Sequence, residues 1–456
     1  MYDLIIIGSG PAGLSAAEKA RAEGAEKVAV VEAAERLGGE CPNWGCVPTK
    51  SLLRSAEILS LARQAAKFGI RAAEVGFDFA EVMRRKQETV DALTGNGRME
   101  DIFQTLGVEV IRGRAKFVAK DAIEVDGQRL ESQMFIVATG AAGFVPPIPG
   151  LKESGFWTSD DILKLDRPPA SLLILGGGAI GCEVASFLAD FGTAVTMVEY
   201  APHILPREDA DIAVGVMAEF ARRGLKVATG LKAEAVKREG TDVILTVADK
   251  DGKKEELRAA ALLVAVGKRP ALDSLDLQAA GVALNERGAP VLDGFLRSSN
   301  EAIYFAGDAA GQMMLTNVAH EMGAVAAENA VSGTGRVWDG GRVIPRGTFC
   351  RPEVGSVGLT EKEARDKGFD VAIGQAPYGF CGKSLVMGDE GGTIKLVADR
   401  KTGLLLGAHL VGPSAAELVH LAALAMQAKV PVKDMSEMLY AYPTYAECLK
   451  VAAGQI

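Results

Sequence analysis

The feature that most constrains the fold of this 456-residue chain is a pattern that occurs twice. An apolar stretch, Leu4–Ile7, runs into Gly8-Ser9-Gly10-Pro11-Ala12-Gly13. An alanine-rich helical pattern, Leu14–Ala22, follows, and a second strand pattern, Lys27–Val31, ends at Glu32. The order returns as Ser171–Leu175, Gly176-Gly177-Gly178-Ala179-Ile180-Gly181, a helical Cys182–Phe191, and a strand Ala194–Val198 ending at Glu199. Short, wholly apolar strands joined through a helix suit parallel strands buried on both faces, so each copy predicts a βαβ unit. Gly8 and Gly176 would allow the tight strand-to-helix turn, Gly10 and Gly178 the approach of a pyrophosphate, and Gly13 and Gly181 close packing of helix on strand. The helix N-terminus offers N–H groups and the positive end of its dipole to phosphate. Gly13 to Glu32 is 19 residues and Gly181 to Glu199 is 18, near the ~20 at which an acid meets ribose hydroxyls. One such glycine loop could be an ordinary turn, but two copies, each with its acid, predict two dinucleotide sites. Glu199 would repel a 2′-phosphate, which favours NADH over NADPH, although His203 and Arg207 follow closely.

The parallel continues. Asp126-Gly127 and Asp251-Gly252 mark tight turns, and apolar strands then end in glycine at Met134–Gly140 and Ala261–Gly267. Proline-rich Val145–Gly150 and Arg167-Pro168-Pro169 read as linkers. Beyond Pro345 the pattern changes to alternating strands, Gly355–Leu359, Thr393–Ala398 and Leu404–Val411, with a helix at Ala415–Gln427. That is an α+β domain of ordinary size. The fold class is therefore α/β: two Rossmann-like dinucleotide-binding domains plus a C-terminal α+β domain. A net charge of −9 argues against nucleic acid or an anionic membrane as partner. The N-terminus lacks a basic signal-peptide start, and no uninterrupted apolar run of membrane-spanning length occurs, so the expected location is cytoplasmic.

Six cysteines are too few for a secreted disulfide scaffold. Two of them stand close together in Gly39-Glu40-Cys41-Pro42-Asn43-Trp44-Gly45-Cys46-Val47-Pro48-Thr49-Lys50. Pro42 and Gly45 are expected to break regular helix there and let the thiols approach. A zinc site would want a second ligand pair, which is missing, so no metal site is predicted and the thiols are expected to cycle. Cys182, Cys350, Cys381 and Cys448 read as packing.

These stretches, with Ala138-Thr139-Gly140, Gly176–Glu183, Tyr304–Asp308 and Pro352-Glu353…Gly358, resemble the flavin-dependent pyridine nucleotide–disulfide oxidoreductases, the family of glutathione reductase, dihydrolipoamide dehydrogenase and mercuric reductase. The resemblance spans almost the whole chain. It implies an FAD-binding domain at 1–150 and 271–344, an NAD(P)-binding domain at 151–270, and a homodimerisation domain at 345–456. FAD would take Gly8, Gly10, Gly13, Glu32, Gly39, Ala115 (at adenine), Thr139, Gly140, Asp308 (at the ribityl chain), Leu315 and Thr316 (at the isoalloxazine). NAD(P)H would take Gly176, Gly178, Gly181, Glu199 and Gly267. In the family Cys46 would face the flavin as a thiolate, Cys41 would attack the acceptor, and Lys50 would pair with Glu183. Hydride would pass from NADH to FAD, and the electron pair from there to the Cys41–Cys46 disulfide.

The chain departs from the family pattern at Tyr440-Ala441-Tyr442-Pro443-Thr444-Tyr445-Ala446-Glu447. Disulfide reductases place a proton-shuttling histidine where Tyr442 stands, paired with the match to Glu447, and present both to the other subunit's site. A phenol ordinarily titrates about 3.5 units above an imidazole, roughly 5 kcal/mol in basicity. Reversible oxidation of a dithiol such as dihydrolipoamide is therefore disfavoured. Mercuric reductase carries tyrosine there, but it ends in a vicinal cysteine pair that this sequence does not show. The expected function is an NAD(P)H-dependent flavoenzyme acting on a small-molecule disulfide, persulfide or other sulfur acceptor. A soft-metal-ion reductase, a dihydrolipoamide dehydrogenase-like enzyme and a flavoprotein docking subunit are the alternatives.

Overall fold

A computed structural model describes residues 1–71, 75–340, 342–389 and 391–456. The chain packs as two compact units, one made of Met1–Ser51, Met83–Phe144 and Gly267–Gly341, the other of Leu52–Val82, Val145–Val266 and Arg342–Ile456. In the first unit the strand Tyr2–Ile7 lies between Val28–Glu32 and Gln128–Val137, parallel to both, with Ile5 level with Ala29 and Phe135. Glu109–Arg112 and Ile303–Phe305 extend the parallel set. Leu4, Ile5 and Ile6 are fully buried, as apolar strands covered on both faces must be. The expected turn at Asp126-Gly127 joins Ala122–Val125 to Gln128–Val137, with both turn residues at positive φ, 48° and 85°, the requirement of a two-residue hairpin turn. The first glycine-loop helix, Pro11–Ala22, crosses the helix Thr316–Ser332 closely enough that a side chain on Gly323 would strike the Ala12 backbone.

The second unit repeats the parallel arrangement in the order Lys226–Thr229, Ala194–Glu199, Ser171–Leu175, Ala261–Val264. A three-stranded antiparallel sheet, Lys232–Glu239, Asp242–Ala248 and Lys254–Ala259, shares a core with it through Leu173, Val198, Leu245 and Leu262. The C-terminal part is a five-stranded antiparallel sheet, Arg346–Thr348, Val354–Gly358, Leu405–Val411, Thr393–Asp399 and Val371–Pro377, covered by Ala415–Gln427. Sequence reading gives only three of these strands. The other two are the edges: one is three residues long, and the other carries Gly374 and ends at Pro377, features of edge strands that hide their pattern. Buried Lys395 joins this sheet to the glycine-loop part of its unit, with Asp209 at 2.9 Å and Asp211 and Glu361 at 2.7 Å. Leaving buried Asp209 without the ammonium would cost about 3–5 kcal/mol. Among the described residues, no helix is long and apolar enough to cross a membrane.

Candidate active site

The first loop is held by its own acid. The Ser9 N–H and hydroxyl both donate to Glu32 Oε2, at 2.9 and 2.7 Å, and the Ala34 N–H donates to Oε1 at 2.8 Å. The Gly38 N–H donates to Ser9 Oγ at 3.0 Å, which ties the loop to the segment that carries the thiols. Gly39, at φ +70°, backs onto Gly10 so closely that a Cβ would stand 2.6 Å from the Gly10 Cα. Pro11 takes the first helical position, and Gly10 leaves the helix N-terminus without a side-chain cap, so its N–H groups face outward for an anion.

Around this loop lie groups that fit a flavin dinucleotide. Thr139 Oγ1 is buried with no hydrogen-bond partner among the described residues. Asp308, in the turn Gly307–Ala310, has its carboxyl pushed up to about 6, chiefly by burial and then by the charge of Glu40, with Lys268 opposing. Lys268 pairs with Glu40. Ribityl hydroxyls are the donors such a carboxylate would take. Leu315 caps the helix that Thr316 opens, Ala115 is buried at the start of the edge strand Ala115–Ala119, and Gly140 turns at φ +72°.

The thiols depart from expectation in one respect. Pro42 does not break the chain out of helix: Glu40–Trp44 is a helical turn, Gly45 interrupts, and Cys46–Arg63 is a long helix. Proline in a first helical turn lacks an N–H that would be unpaired anyway. Cys41 and Cys46 stand as two thiols, Cys41 half-buried and Cys46 exposed. The Cys41 thiol is held well above its ordinary range, first by the hydrogen bond to Cys46 and then by burial, while Thr316 and Lys50 pull it down. Cys46 Sγ lies 3.9 Å from Thr316 Oγ1. The first loop, the thiols, Lys50, Asp308, Leu315 and Thr316 thus belong to one unit.

The second loop repeats the anchoring. The Gly177 N–H donates to Glu199 Oε2 at 2.6 Å and the Ala201 N–H to Oε1 at 2.7 Å. Gly178 leaves its helix, Ala179–Asp190, without a side-chain cap, and a Cβ on Gly178 would meet no described atom within 4 Å. Gly176 turns at φ +109°, and Gly181 sits so near the Gly176 carbonyl that no side chain fits. These features fit a second dinucleotide. Here the loop rests on apolar residues: Ile204 lies against Gly177, and the Leu205 N–H donates to the Gly177 carbonyl at 2.7 Å. Glu183, on the same helix, is buried, and its Oε1 accepts from the Phe349 N–H at 2.9 Å. Gly267 packs instead with the first unit, its carbonyl accepting from the Phe144 N–H.

In the C-terminal segment Tyr442 is 78% exposed, and its phenol lies on Gly382. Glu447 Oε2 accepts from the Thr444 N–H at 3.0 Å and opens the helix Glu447–Ala453. Cys381 and Cys448, read from sequence as separate packing thiols, are joined in a disulfide. Nothing local marks the pairing, because 67 residues separate them. Ser9 and the Lys268–Glu40 pair also escape sequence reading. Ser9 occupies a variable position of the loop motif, and Lys268 lies 228 residues from Glu40.

Residues 2–323 match the pyridine nucleotide-disulphide oxidoreductase family, and residues 344–453 match the family's dimerisation domain. The chain is 36% identical to a mercuric reductase from Bacillus cereus over 99% of its own length and 71% of the relative's. It is 39% identical to a dihydrolipoyl dehydrogenase from Thermus scotoductus over 99% and 96% of the two chains. Among solved structures, the HOCl-induced flavoprotein disulfide reductase RclA from Escherichia coli superposes with a TM-score of 0.88 at 31% identity, covering 100% of both chains. With two glycine loops, a thiol pair beside the first and a dimerisation domain, the chain belongs to the pyridine nucleotide–disulphide oxidoreductases and is an FAD-dependent oxidoreductase of that family.

Proposed function

We propose that the enzyme reduces a small disulfide, persulfide or related sulfur acceptor with electrons from NADH. The observation that carries this reading is the Cys41–Cys46 pair, with Cys46 beside Thr316 and both thiols in the unit of the first glycine loop. When bound there, FAD supplies the conversion of a hydride into an electron pair that a disulfide can take. The loop around Gly10 would bind the pyrophosphate, Asp308 the ribityl hydroxyls, and Leu315 and Thr316 the ring system. Cys41 attacks the acceptor sulfur. Cys46 then displaces the reduced product by thiol–disulfide exchange and re-forms the internal disulfide. The charge of Lys50 opposes the upward push that Cys46 and burial exert on the Cys41 thiol, and the thiolate is the reactive form.

In a homodimer, Tyr442 and Glu447 of the partner subunit would complete the acceptor side. The exposure of Tyr442 leaves it available for that contact. A phenol suits hydrogen-bond donation to a leaving sulfur better than proton abstraction from a dithiol. Acceptor reduction is therefore favoured over dihydrolipoamide oxidation. NADH is favoured because the Glu199 carboxylate stands at the end of its strand, where a 2′-phosphate would meet it. Cycling thiols suit a reducing compartment such as the cytoplasm. The mercuric reductase relative at 36% identity favours a second reading, in which the thiols and Tyr442 handle a soft metal ion. Rapid mixing of NADH-reduced enzyme with glutathione disulfide, lipoamide, a persulfide, Hg²⁺ and a quinone separates the two. Fast reoxidation by a sulfur compound is expected, and reoxidation by Hg²⁺ alone would overturn the sulfur assignment.

A further inference from the structure

The second cysteine pair is unlike the first. Cys381 is 3% exposed and Cys448 is fully buried, with Cα atoms 6.0 Å apart, inside the span a disulfide bridges. Neither sulfur can be reached by a substrate, and both lie in the core cluster under the C-terminal sheet. What the bond joins is informative. Cys448 is the second residue of the helix Glu447–Ala453, directly after Glu447. Cys381 closes the turn Tyr378–Phe380 and precedes Gly382, the residue on which the Tyr442 phenol lies. A Cβ on Gly382 would stand 2.8 Å from the Tyr442 hydroxyl oxygen. Between these anchors, the Tyr445 ring packs tilted against Tyr378 with centroids 5.7 Å apart, and its hydroxyl donates to Asp389 Oδ2 at 3.4 Å. Glu447 receives the Thr444 N–H. Tyr442 itself is mostly in solvent.

We infer that Cys381 and Cys448 are positioning residues: their disulfide clamps the helix that Glu447 opens to the turn that seats Tyr442, and so sets the geometry of both side chains for the acceptor step. The inference rests on the assignment of Tyr442 and Glu447 to that step. It gives the molecule two sulfur pairs with separate duties. Cys41–Cys46 opens and closes in each turnover, while Cys381–Cys448 stays closed because burial keeps thiolates from its sulfurs.

Two measurements test the inference. The first is alkylation of the as-isolated protein with iodoacetamide in denaturant without reductant, followed by peptide mapping. A linked peptide containing Cys381 and Cys448 is expected, and alkylation of both as free thiols overturns the clamp. The second is stopped-flow analysis of the full-length flavoenzyme bearing Cys381→Ala and Cys448→Ala together, with Gly382→Ala as a variant that leaves the disulfide intact and pushes on the phenol. Flavin bleaching by NADH should stay at the wild-type rate. Reoxidation by dithionitrobenzoate should slow by about ten- to a hundredfold, since small misplacement of a reacting group costs that much. A general loss of folding would slow both halves, so the split between them reports positioning. Tyr442→Phe and Glu447→Gln serve as controls. If they slow reoxidation and neither the double variant nor Gly382→Ala does, the clamp is wrong and the acceptor-side reading stands. If none of the variants slows reoxidation, that reading fails as well.

Discussion

The two glycine loops are built almost alike but anchored differently. Gly8 and Gly176 turn at φ 108° and 109°, and each loop is held by a terminal strand acid that accepts two backbone N–H groups. The first loop carries one hydroxyl more. Ser9 donates to Glu32 and accepts from Gly38, so the loop is continuous with the thiol segment. The second has Gly177 at that position and rests on Ile204 and Leu205, with Tyr200 mostly in solvent beside it. One fingerprint thus serves two purposes. Fastening the loop to the reactive sulfurs suits a resident cofactor whose distance to them must not vary. An open, apolar-seated loop suits a nucleotide that arrives and leaves at every turnover.

The largest expected effect isolates the thiols from both loops. Cys46→Ser should keep FAD content and NADH-driven bleaching but lower turnover with disulfide acceptors at least about a thousandfold, as loss of an essential reacting group does. It should also abolish the long-wavelength band of the two-electron-reduced enzyme. A band that survives would remove Cys46 from the flavin-facing role.

Gly39→Ala comes next. Its positive φ and the 2.6 Å approach to Gly10 should together cost about 2–4 kcal/mol and strip FAD on gel filtration. Gly178→Ala, where the fold leaves open space, should fold normally and raise the KM for NADH alone. Equal behaviour of the two variants would erase the contrast between the loops.

Asp308, in the unit of the first loop, should show its effect as pH dependence. Its carboxyl is raised from 3.8 to about 6, so the folded apoprotein binds a proton more readily than the unfolded chain. Stability from this group is present below pH ~4 and lost as pH rises through about 6, by at most about 3 kcal/mol before solvent screening trims it. Apoprotein with Asp308→Asn should melt without that decline, and coincident pH–Tm curves would refute the assignment. The smallest effect is expected of Ser9→Ala, about 1 kcal/mol for a lost side-chain hydrogen bond. It should appear as faster FAD release with unchanged affinity for NADH.

Much of the fold was legible because its signals are local. The two loops with their acids, the Asp126-Gly127 hairpin and the helix Ala415–Gln427 are each written in consecutive residues, and the helix limits agree with those read from sequence. The helical turn over Cys41 was not legible, since proline reads as a breaker unless one knows it falls in a first turn. The partnership of Lys268 with Glu40 and the bond between Cys381 and Cys448 depend on chain closure over 228 and 67 residues. No residue near either end announces the other.

The apolar seat under the second loop has a consequence for how such an enzyme changes over time. Ile204 and Leu205 support Gly177 from within the same unit. With the nicotinamide nucleotide on the second loop, as proposed, substitutions from Glu199 to Arg207 would retune which electron carrier the enzyme draws from. Ser9 offers no such freedom, because any replacement is felt by the cofactor grip and the Cys41 segment together. Adaptation to a new metabolic supply should accumulate at one loop and stall at the other.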